Sequence, residues 1–413
     1  MPWKKTDMDE QRIQFVARAV SGKERMTALC QEFGIARPTG YRWRGRYERG
    51  GTFAALGEQS RRPHHSPKRT EAWKEERVVA LREQTGWGAK KLRVVLQDEQ
   101  QVAIPVRTIH RILERRGLVA EEVHTAAPGR FERSAPNELW QMDSKGKYPL
   151  PQAECHPLSI LDDHSRYAVG LYALPVLSSE QAWPCLVETF RQYGVPQGML
   201  MDRGSLWWSE QNGWGLTWLS VQLIEQGIEL HYGRVCHPQT QCKVERFHRT
   251  LGGELRHRGL PRRWEEWAPL LAEVRRDYNQ RRPHEALALR RPGEIYQPSA
   301  QAYQEHPPEW EYPSGSEVQR LNRQGMLEVK GRRWFVCGAL ANQRVRIERI
   351  ETKLLVSYRH MYVREIDPER GCTRSLVVKR GEGGAPFSRG SEALRSPSGL
   401  PPALTAPRKE TEV

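Results

Sequence analysis

Residues 237–251, with the sequence HPQTQCKVERFHRTL, contain the pattern around which this chain is organised. Val244, Phe247 and Leu251 recur at helical spacing, which predicts an amphipathic helix with one apolar face. Glu245 lies off that apolar face, among basic residues near the start of the helix. Taken alone, such a carboxylate indicates a surface ion-pair network.

Two aspartates upstream change that interpretation, because each one ends an apolar stretch typical of a strand. Residues 137–147 read NELWQMDSKGK, and Asp143 ends a short strand that runs into a glycine-containing turn. Residues 194–204 read GVPQGMLMDRG, and Asp202 follows the apolar run and precedes an Arg-Gly turn. Mg²⁺ prefers carboxylate oxygens, and a pair of such ions can activate an attacking oxygen and stabilise a leaving one at phosphorus. We therefore expect Asp143, Asp202 and Glu245 to converge in space.

The order Asp143, Asp202, Glu245, with the motifs WQMD, MDRG and HPQTQ-KVERFHRTL, resembles the DDE integrase-core transposases of bacterial insertion sequences. These proteins are relatives of retroviral integrases, and the resemblance covers about residues 10–365. It implies a ribonuclease-H-like core that cleaves the ends of an insertion element and transfers the strands. It also implies that the three carboxylates hold two Mg²⁺ or Mn²⁺ ions. The implied partners are the terminal inverted repeats and target DNA, bound by a homo-oligomer.

The composition also favours a polyanionic partner. Lys and Arg number 65 against 50 Asp and Glu, which gives a net charge of +15 and a pI near 9.6. The 7 cysteines include no C-x-x-C pair, which argues against a zinc module or a disulfide framework and fits a reducing cytoplasm. The sequence contains no signal peptide and no apolar run long enough to span a bilayer. We therefore expect a cytoplasmic protein of the bacterial nucleoid.

Two stretches near the N-terminus predict helix-turn-helix units. In residues 1–49 three short helical patterns follow one another, and the third, which Pro38 opens, is basic and aromatic enough to enter a major groove. The alternative for this unit is a small bundle with a solvated basic face. Residues 71–120 repeat the arrangement, and Pro105 opens their last helix. The residues expected to contact DNA are Arg37, Thr39, Arg42 and Arg44 in the first unit and Arg107, Thr108 and Arg111 in the second.

The central pattern of strand, hairpin, helix, strand, helix, strand and helix is typical of an α/β domain with a mixed sheet. Asp162 and Asp163 lie at the predicted hairpin, and we interpret them as turn residues rather than as rival metal ligands. A cluster of tryptophans either packs a loop against the core, which is favoured, or stacks on bases; it comprises Trp207, Trp208, Trp214 and Trp218. The residues expected to position phosphate beside Glu245 are Lys243, Arg246 and Arg249.

Short alternating strands in residues 317–366 predict a small all-β barrel after the core, and the tail beyond it is expected to be disordered. Further candidate phosphate contacts are Arg281, Arg282 and His284 after the core and Arg332, Arg333, Arg344, Arg346 and Arg359 in the barrel. The predicted domains are helix-turn-helix 1–49, basic linker 50–70, second helix-turn-helix 71–120, linker 121–136, integrase catalytic core 137–300, β-barrel 315–366 and disordered tail 367–413.

Two other functions stay open at this point. A ribonuclease-H-like nuclease would hydrolyse DNA without joining strands, although tandem helix-turn-helix units argue against it. The other is a catalytically inactive or repurposed DNA-binding protein derived from a transposase. Two departures from the family pattern keep it open. Arg203 follows Asp202 where an uncharged or weakly basic residue is usual, and Cys242 stands where glycine is usual.

Overall fold

A computed structural model describes residues 8–57, 70–119, 132–151, 153–209, 215–233 and 242–379. The chain divides into two compact units, Met1–Thr70 and Glu71–Val413. Trp214 and most of the two predicted linkers lie outside the described residues. In the described part of the chain, no helix is both long and apolar enough to cross a membrane.

The first unit is a small helical domain with its own core. Its elements are the helices α1 (Met8–Ser21), α2 (Met26–Glu32) and α3 (Arg37–Gly50) and a 3₁₀ turn at Phe53–Leu56. Phe15, Leu29 and Trp43 are buried together, as expected for helices that share one apolar face. Leu56 joins this core and is only 1% exposed. Residues 53–56, which lie within the predicted linker 50–70, therefore contribute to this core through Leu56.

The second unit begins with three more helices, α4 (Ala72–Thr85), α5 (Ala89–Gln100) and α6 (Val106–Arg115). Gly86 ends α4 in the left-handed conformation with φ of 68°, which a residue with a side chain adopts at a cost. Pro105 precedes α6 and cannot continue a preceding helix. Leu81, Leu92 and Ile109 pack in a core of their own.

A mixed sheet forms the centre of the second unit. Its strands and the small hairpin beside it are β1 (Trp140–Ser144), β2 (Tyr148–Pro149), β3 (Glu154–Asp162), β4 (Ala168–Leu174), β5 (Gly198–Met201), β6 (Trp208–Ser209), β7 (Gly215–Leu216) and β8 (Glu229–Tyr232). The order is β2-β3-β1-β5-β8, with β4 also paired to β3. β3 is antiparallel to β1 and β4, whereas β5 is parallel to β1 and β8. The predicted α/β core with a mixed sheet is confirmed.

Helices cover both faces of this sheet. They are α7 (Ser179–Tyr193), α8 (Trp218–Glu225), α9 (Cys242–Arg258) and α10 (Trp267–Arg276). α7 and α8 pack with Trp140 and Met142 of β1, and Ser178 caps α7 by accepting a hydrogen bond from the Gln181 N–H. On the other face Phe247 and Trp267, from α9 and α10, pack on β3 and β4. Burying both faces stabilises the strand ends, from which Asp143 and Asp202 project.

The C-terminal part is an open antiparallel sheet, in contrast to the predicted barrel. Its strands are β9 (Glu317–Arg320), β10 (Met326–Val329), β11 (Arg332–Phe335), β12 (Arg344–Ile350), β13 (Lys353–Tyr358), β14 (Met361–Asp367) and β15 (Cys372–Lys379). Five of them are ordered β15-β14-β13-β12-β9, with β10 and β11 as a separate hairpin. Within the described ranges β9 and β15 form opposite edges, so no barrel closes. Alternation predicts strands, but closure depends on which edges pair.

β15 also corrects the predicted tail. It pairs with β14 from Asp367↔Cys372 to Met361↔Lys379, so residues 372–379 belong to the sheet and the prediction of disorder there is wrong. The polar and charged residues of this strand gave only a weak strand signal in the sequence. Main-chain pairing with the buried strand β14 stabilises β15 where its side chains contribute little. Residues 380–413 lie outside the described part of the chain.

Candidate active site

Asp143 and Asp202 lie at the same edge of the central sheet. β1 and β5 are parallel neighbours, with Trp140 opposite Met199, so their carboxyl ends meet. Each aspartate also accepts a hydrogen bond from a nearby main-chain N–H. Ser144 donates to Asp143 Oδ1 at 2.8 Å, and Gly204 donates to Asp202 Oδ1 at 2.9 Å. These bonds restrict the rotation of both carboxylates at the edge where they meet.

Glu245 approaches the same edge from the first turn of α9. The apolar side of α9, with Phe247 and Leu251, is buried against the sheet, which leaves Glu245 exposed. Burial raises the pKa of Asp143 to about 6, and the charges of Asp202 and Glu245 add to the rise, while the Ser144 N–H opposes it. Residues that are far apart in sequence are therefore close enough to repel one another.

In this arrangement the three carboxylates are not placed as a ready metal site. No group of three His, Cys, Asp or Glu side chains within the described ranges is already positioned to hold a metal ion. The donor set nevertheless suits a hard divalent cation, because it consists of carboxylate oxygens. A cation between them would relieve the repulsion that raises the pKa of Asp143.

His248 is a member of this site that the sequence interpretation missed. Its Nδ1 lies 3.6 Å from Asp143 Oδ2, and its Nε2 lies 3.1 Å from Ser159 Oγ. Burial lowers the pKa of His248 to about 4, with Lys145 adding to the effect, so the ring is neutral near pH 7. The contact with Asp143 is therefore not an ion pair at that pH. Its position one helical turn after Glu245 is the signal that could have identified it.

A cleft of about 290 Å³ opens beside Asp143 and Asp202, with Trp207 in its wall. Trp207 and Trp208 are buried, which supports the packing interpretation of the tryptophan cluster. Trp208 packs edge-on against Tyr232 with their ring centroids 5.0 Å apart. Trp218 differs, because it is 47% exposed.

The two departures from the family pattern have definite positions. The guanidinium of Arg203 lies over the Trp208 ring, 5.3 Å from its centroid, so an aromatic face holds this cation beside the cleft. Cys242 is the first residue of α9. Residues inside a right-handed helix have φ near −60°, where a side chain causes no strain.

Asp162 and Asp163 are held by hydrogen bonds away from the cleft. Asp162 accepts from the N–H groups of Asn137 and Ser165 and from the Ser165 hydroxyl. Asp163 accepts from Gln141 and from the ammonium of Lys243. Both aspartates are completely buried, in keeping with a structural role at the hairpin.

The basic residues expected around Glu245 have different environments. Arg246 and Arg249 are exposed on α9, the first directly after Glu245 and the second about one turn after it. Lys243 is buried, and its Nζ lies 2.5 Å from Asp163 Oδ2. Although Lys243 was expected to contact phosphate, its ammonium forms an ion pair with Asp163 inside the protein.

The residues predicted to read DNA lie mostly on exposed helix surfaces. In the first unit Arg37 and Arg42 are exposed on α3 and Thr39 is half-buried, while Arg44 pairs with Glu48 at 2.6 Å. In the second helical unit Arg107 and Arg111 are exposed on α6, and Thr108 is half-buried. Each third helix thus presents cations in its first turns, as a recognition helix requires.

The basic residues after α10 hold the second helical unit against the core. Arg281 pairs with Glu99 at 2.9 Å, and Arg291 pairs with Asp98 at 2.8 Å. Arg282 donates to Glu254, which also accepts from the indole N–H of Trp87. Both arginines that were expected to contact phosphate, Arg281 and Arg282, thus have acidic partners within the chain.

His284, another expected phosphate contact, lies in the same region. Its Nε2 lies 3.3 Å from the Tyr278 carbonyl oxygen, and burial lowers its pKa to about 3, so it carries no charge near pH 7. In the C-terminal sheet Arg332 and Arg333 are exposed, whereas Arg359 is buried and donates to the carbonyl of Glu225. The remaining two form ion pairs, Arg344 with Glu309 and Arg346 with Glu348.

Comparison with known proteins identifies helix-turn-helix and integrase-like segments in this chain. Residues 11–64 match a helix-turn-helix domain, residues 39–113 match a homeodomain-like domain and residues 226–292 match an integrase core domain. A 31.7 kDa uncharacterized protein of insertion element IS407 from Burkholderia multivorans is 27% identical over 237 residues, which are 53% of this chain and 73% of the relative. These matches confirm the resemblance to insertion-sequence transposases with an integrase-like core.

Solved structures of viral integrases are also similar. The catalytic core domain of HTLV-2 integrase in complex with magnesium is 14% identical, covers 39% of this chain and 97% of its own, and has a TM-score of 0.31. The simian T-cell lymphotropic virus intasome, in complex with a PP2A regulatory subunit, is 13% identical over 73% of this chain and 100% of its own, with a TM-score of 0.37. Such low scores add no argument, and the assignment depends on the family models and the curated relative.

Proposed function

We propose that this insertion-sequence protein with an integrase-like core is a transposase that binds the ends of its element, cleaves DNA strands there and joins them to target DNA. Asp143, Asp202 and Glu245 are its catalytic carboxylates. The observation that supports this assignment is that the carboxyl ends of β1 and β5 meet at one edge of the sheet, where the charges of Asp202 and Glu245 both act on Asp143. A functional site is where such unfavourable proximity of like charges is expected.

The three carboxylates would hold two Mg²⁺ or Mn²⁺ ions. When bound, such ions supply an activated oxygen nucleophile and stabilise the leaving 3′-oxygen. The protein's own contribution is orientation: main-chain N–H groups fix Asp143 and Asp202, and His248 packs against Asp143. The sheet edge thus holds the acceptor oxygens of Asp143 and Asp202 in place, and Glu245 on α9 would complete the donor set.

DNA binding belongs to the helical units and to the exposed face of α9. Exposed arginines on α3 and α6 fit the major groove, where arginine recognises guanine through two hydrogen bonds. Arg246 and Arg249 follow Glu245 on α9 and would attract the phosphates that approach the carboxylates. Cutting and joining two element ends requires two active sites close together, so we infer a homo-oligomer assembled on DNA.

The decisive experiment is cleavage of labelled element ends in Mg²⁺. We expect Asp143→Asn, Asp202→Asn and Glu245→Gln each to abolish cleavage and strand transfer, because each removes a metal-binding charge at almost constant shape. End binding, measured by gel shift, should be unchanged in all three. Near wild-type cleavage by any of these variants would remove that residue from the site.

The same experiment separates the proposed function from its rivals. Wild-type protein that cuts end DNA but joins no strands to a target plasmid would be a nuclease. Wild-type protein that binds ends and does neither in Mg²⁺ or Mn²⁺ would be a DNA-binding protein derived from a transposase.

A further inference from the structure

A group of three buried polar residues connects β1 to the start of α9. These residues are Gln141, Asp163 and Lys243, which we call the anchor. Gln141 lies on β1 two residues before Asp143 and is 1% exposed. Its Nε2 donates to Asp163 Oδ1 at 2.8 Å, and its Oε1 accepts from the Val244 N–H at 3.2 Å. One amide side chain therefore bridges the strand that carries Asp143 and the helix that carries Glu245.

Asp163 is the centre of the anchor. The ammonium of Lys243 donates to Asp163 Oδ2 at 2.5 Å and to its carbonyl oxygen at 3.1 Å. The N–H of Arg133 donates to the same carboxylate at 2.8 Å, and the N–H of Asp163 itself donates to the Leu139 carbonyl at 2.9 Å. Asp163 is completely buried, so these bonds to the protein replace those it would make with water.

The first turn of a helix needs such partners. The first four N–H groups of an α-helix have no acceptor within the helix. In α9 the Val244 N–H is one of these groups, and Gln141 serves as its acceptor. Lys243 adds a second connection, so the residues immediately before Glu245 are tied to β1 and to the β3–β4 hairpin.

Stability alone does not account for a buried ion pair of this kind. Taking Lys243 and Asp163 out of water costs free energy that their attraction only partly returns, and apolar side chains of similar volume are often as stable. The ion pair instead orients α9, because the bonds between Lys243 and Asp163 fix the position and the rotation of its first turn. A displacement of about 1 Å at a reacting group can cost on the order of a hundredfold in rate.

We propose that Gln141, Asp163 and Lys243 are positioning residues that set the separation between Asp143 and Glu245, so that the pair can share divalent metal. This proposal rests on the proposed function, because it assigns to the anchor the geometry of that same site. None of the three touches the reacting atoms. Their loss should therefore weaken metal binding and leave the chemistry intact once metal is saturating.

Gln141→Leu is the first test, since leucine keeps similar volume and loses both hydrogen bonds. In the full chain we expect the Kd for Mn²⁺, measured by electron paramagnetic resonance, to rise at least about tenfold, the usual effect of removing a partner that orients a metal ligand. Cleavage should recover toward wild type at saturating Mg²⁺, and end binding should not change. The matched control is Gln222→Leu on α8, which should leave Mn²⁺ affinity unchanged.

The double variant Asp163→Asn with Lys243→Met keeps the test decisive if Gln141→Leu folds poorly. It removes both charges together, so no buried ion is left unpaired. We expect the same loss of Mn²⁺ affinity. Affinity within twofold of wild type in both folded variants overturns the proposal, as does lost cleavage that saturating Mg²⁺ does not restore.

Glu245→Gln in the same titration separates the two proposals. If Glu245→Gln loses Mn²⁺ binding and the anchor variants keep it, only the role of the anchor is wrong. If wild type and Glu245→Gln bind Mn²⁺ equally, or neither binds it, the metal site itself is wrong and the anchor proposal falls with it.

Discussion

At the scale of single residues, Asp143 carries a negative charge that destabilises the folded protein. Its pKa in the folded chain, about 6, lies above the ordinary value of 3.8, because burial and two neighbouring carboxylates disfavour ionisation. At neutral pH the folded state therefore contains a charge that the unfolded state accommodates more easily. Such a cost is typical of sites where binding, rather than stability, determines which residue is present.

We predict that Asp143→Asn abolishes cleavage and at the same time stabilises the protein. Above pH 6 the gain should be on the order of 2 kcal/mol, because the amide never ionises. Between pH 6 and about 4 the gain should shrink, since native Asp143 takes up its proton there while the unfolded chain stays ionised. Urea unfolding of both proteins from pH 4 to pH 8 measures this directly.

A matched control for this prediction is Glu305→Gln. Glu305 forms an ion pair with Arg191 on the surface, where both side chains are more than half exposed. Its replacement should change stability by less than about 1 kcal/mol. A loss of stability in Asp143→Asn at pH 8 would contradict the assigned repulsion among the three carboxylates.

At the scale of elements, α9 combines two roles on two of its faces. Its buried face fixes the helix through Phe247 and Leu251, and the exposed face presents Glu245 with Arg246 and Arg249. Helical spacing separates these sets, because positions three and four apart share a side and adjacent ones do not. The same rule separates the exposed arginines of α3 from the buried Trp43 on the same helix.

We predict that Arg42→Ala in the full chain weakens binding to element ends and lowers the salt dependence of log K by about one phosphate contact. The physical reason is that Arg42 is exposed on α3 at the position of a recognition helix. Fluorescence anisotropy across a salt series measures both quantities. The matched control is Arg49→Ala, which removes the same charge from the last turn of the same helix. Equal effects of the two variants would favour a solvated basic face over sequence readout.

At the scale of the whole molecule, the second helical unit and the catalytic core are joined through Glu254. This carboxylate is only 8% exposed and accepts from Trp87 at 3.1 Å and from Arg282 at 2.8 Å. Two further ion pairs, which are more exposed, lie on the same boundary. They join Arg281 to Glu99 and Arg291 to Asp98. The exposed arginines of α6 are thereby held in a fixed position relative to the carboxylates.

We predict that Glu254→Gln loosens this attachment, because it leaves the half-buried Arg282 without its charged partner. The cost should be on the order of 3 kcal/mol. Hydrogen exchange measured by mass spectrometry should then rise across α4 to α6. The control is Glu99→Gln, which breaks a more exposed pair and should cost less than about 1 kcal/mol. Equal exchange in wild type and Glu254→Gln would show that apolar contacts alone hold the unit.

Local pattern in the sequence was sufficient for most of the elements and for the place of Asp143, Asp202 and Glu245 within them. Periodicity predicted α9 with its apolar face, turn residues predicted the β3–β4 hairpin, and apolar runs that end in Asp143 and Asp202 predicted strands. These features depend on residues that are close in sequence, so they can be recognised without knowledge of the fold. The resemblance supplied the link among the three acids that no local pattern contains.

Tertiary structure alone decided which charged side chains remain available. Lys243, Arg281 and Arg282 look like phosphate ligands in sequence, yet each is paired with a carboxylate between 28 and 182 positions away. Whether the last sheet closes, and whether β15 joins it, likewise depended on pairing between distant edges. The physical reason is that a charged side chain or a strand edge requires a partner, but the local sequence does not specify which one. The fold determines whether that partner is DNA, metal or another part of the chain.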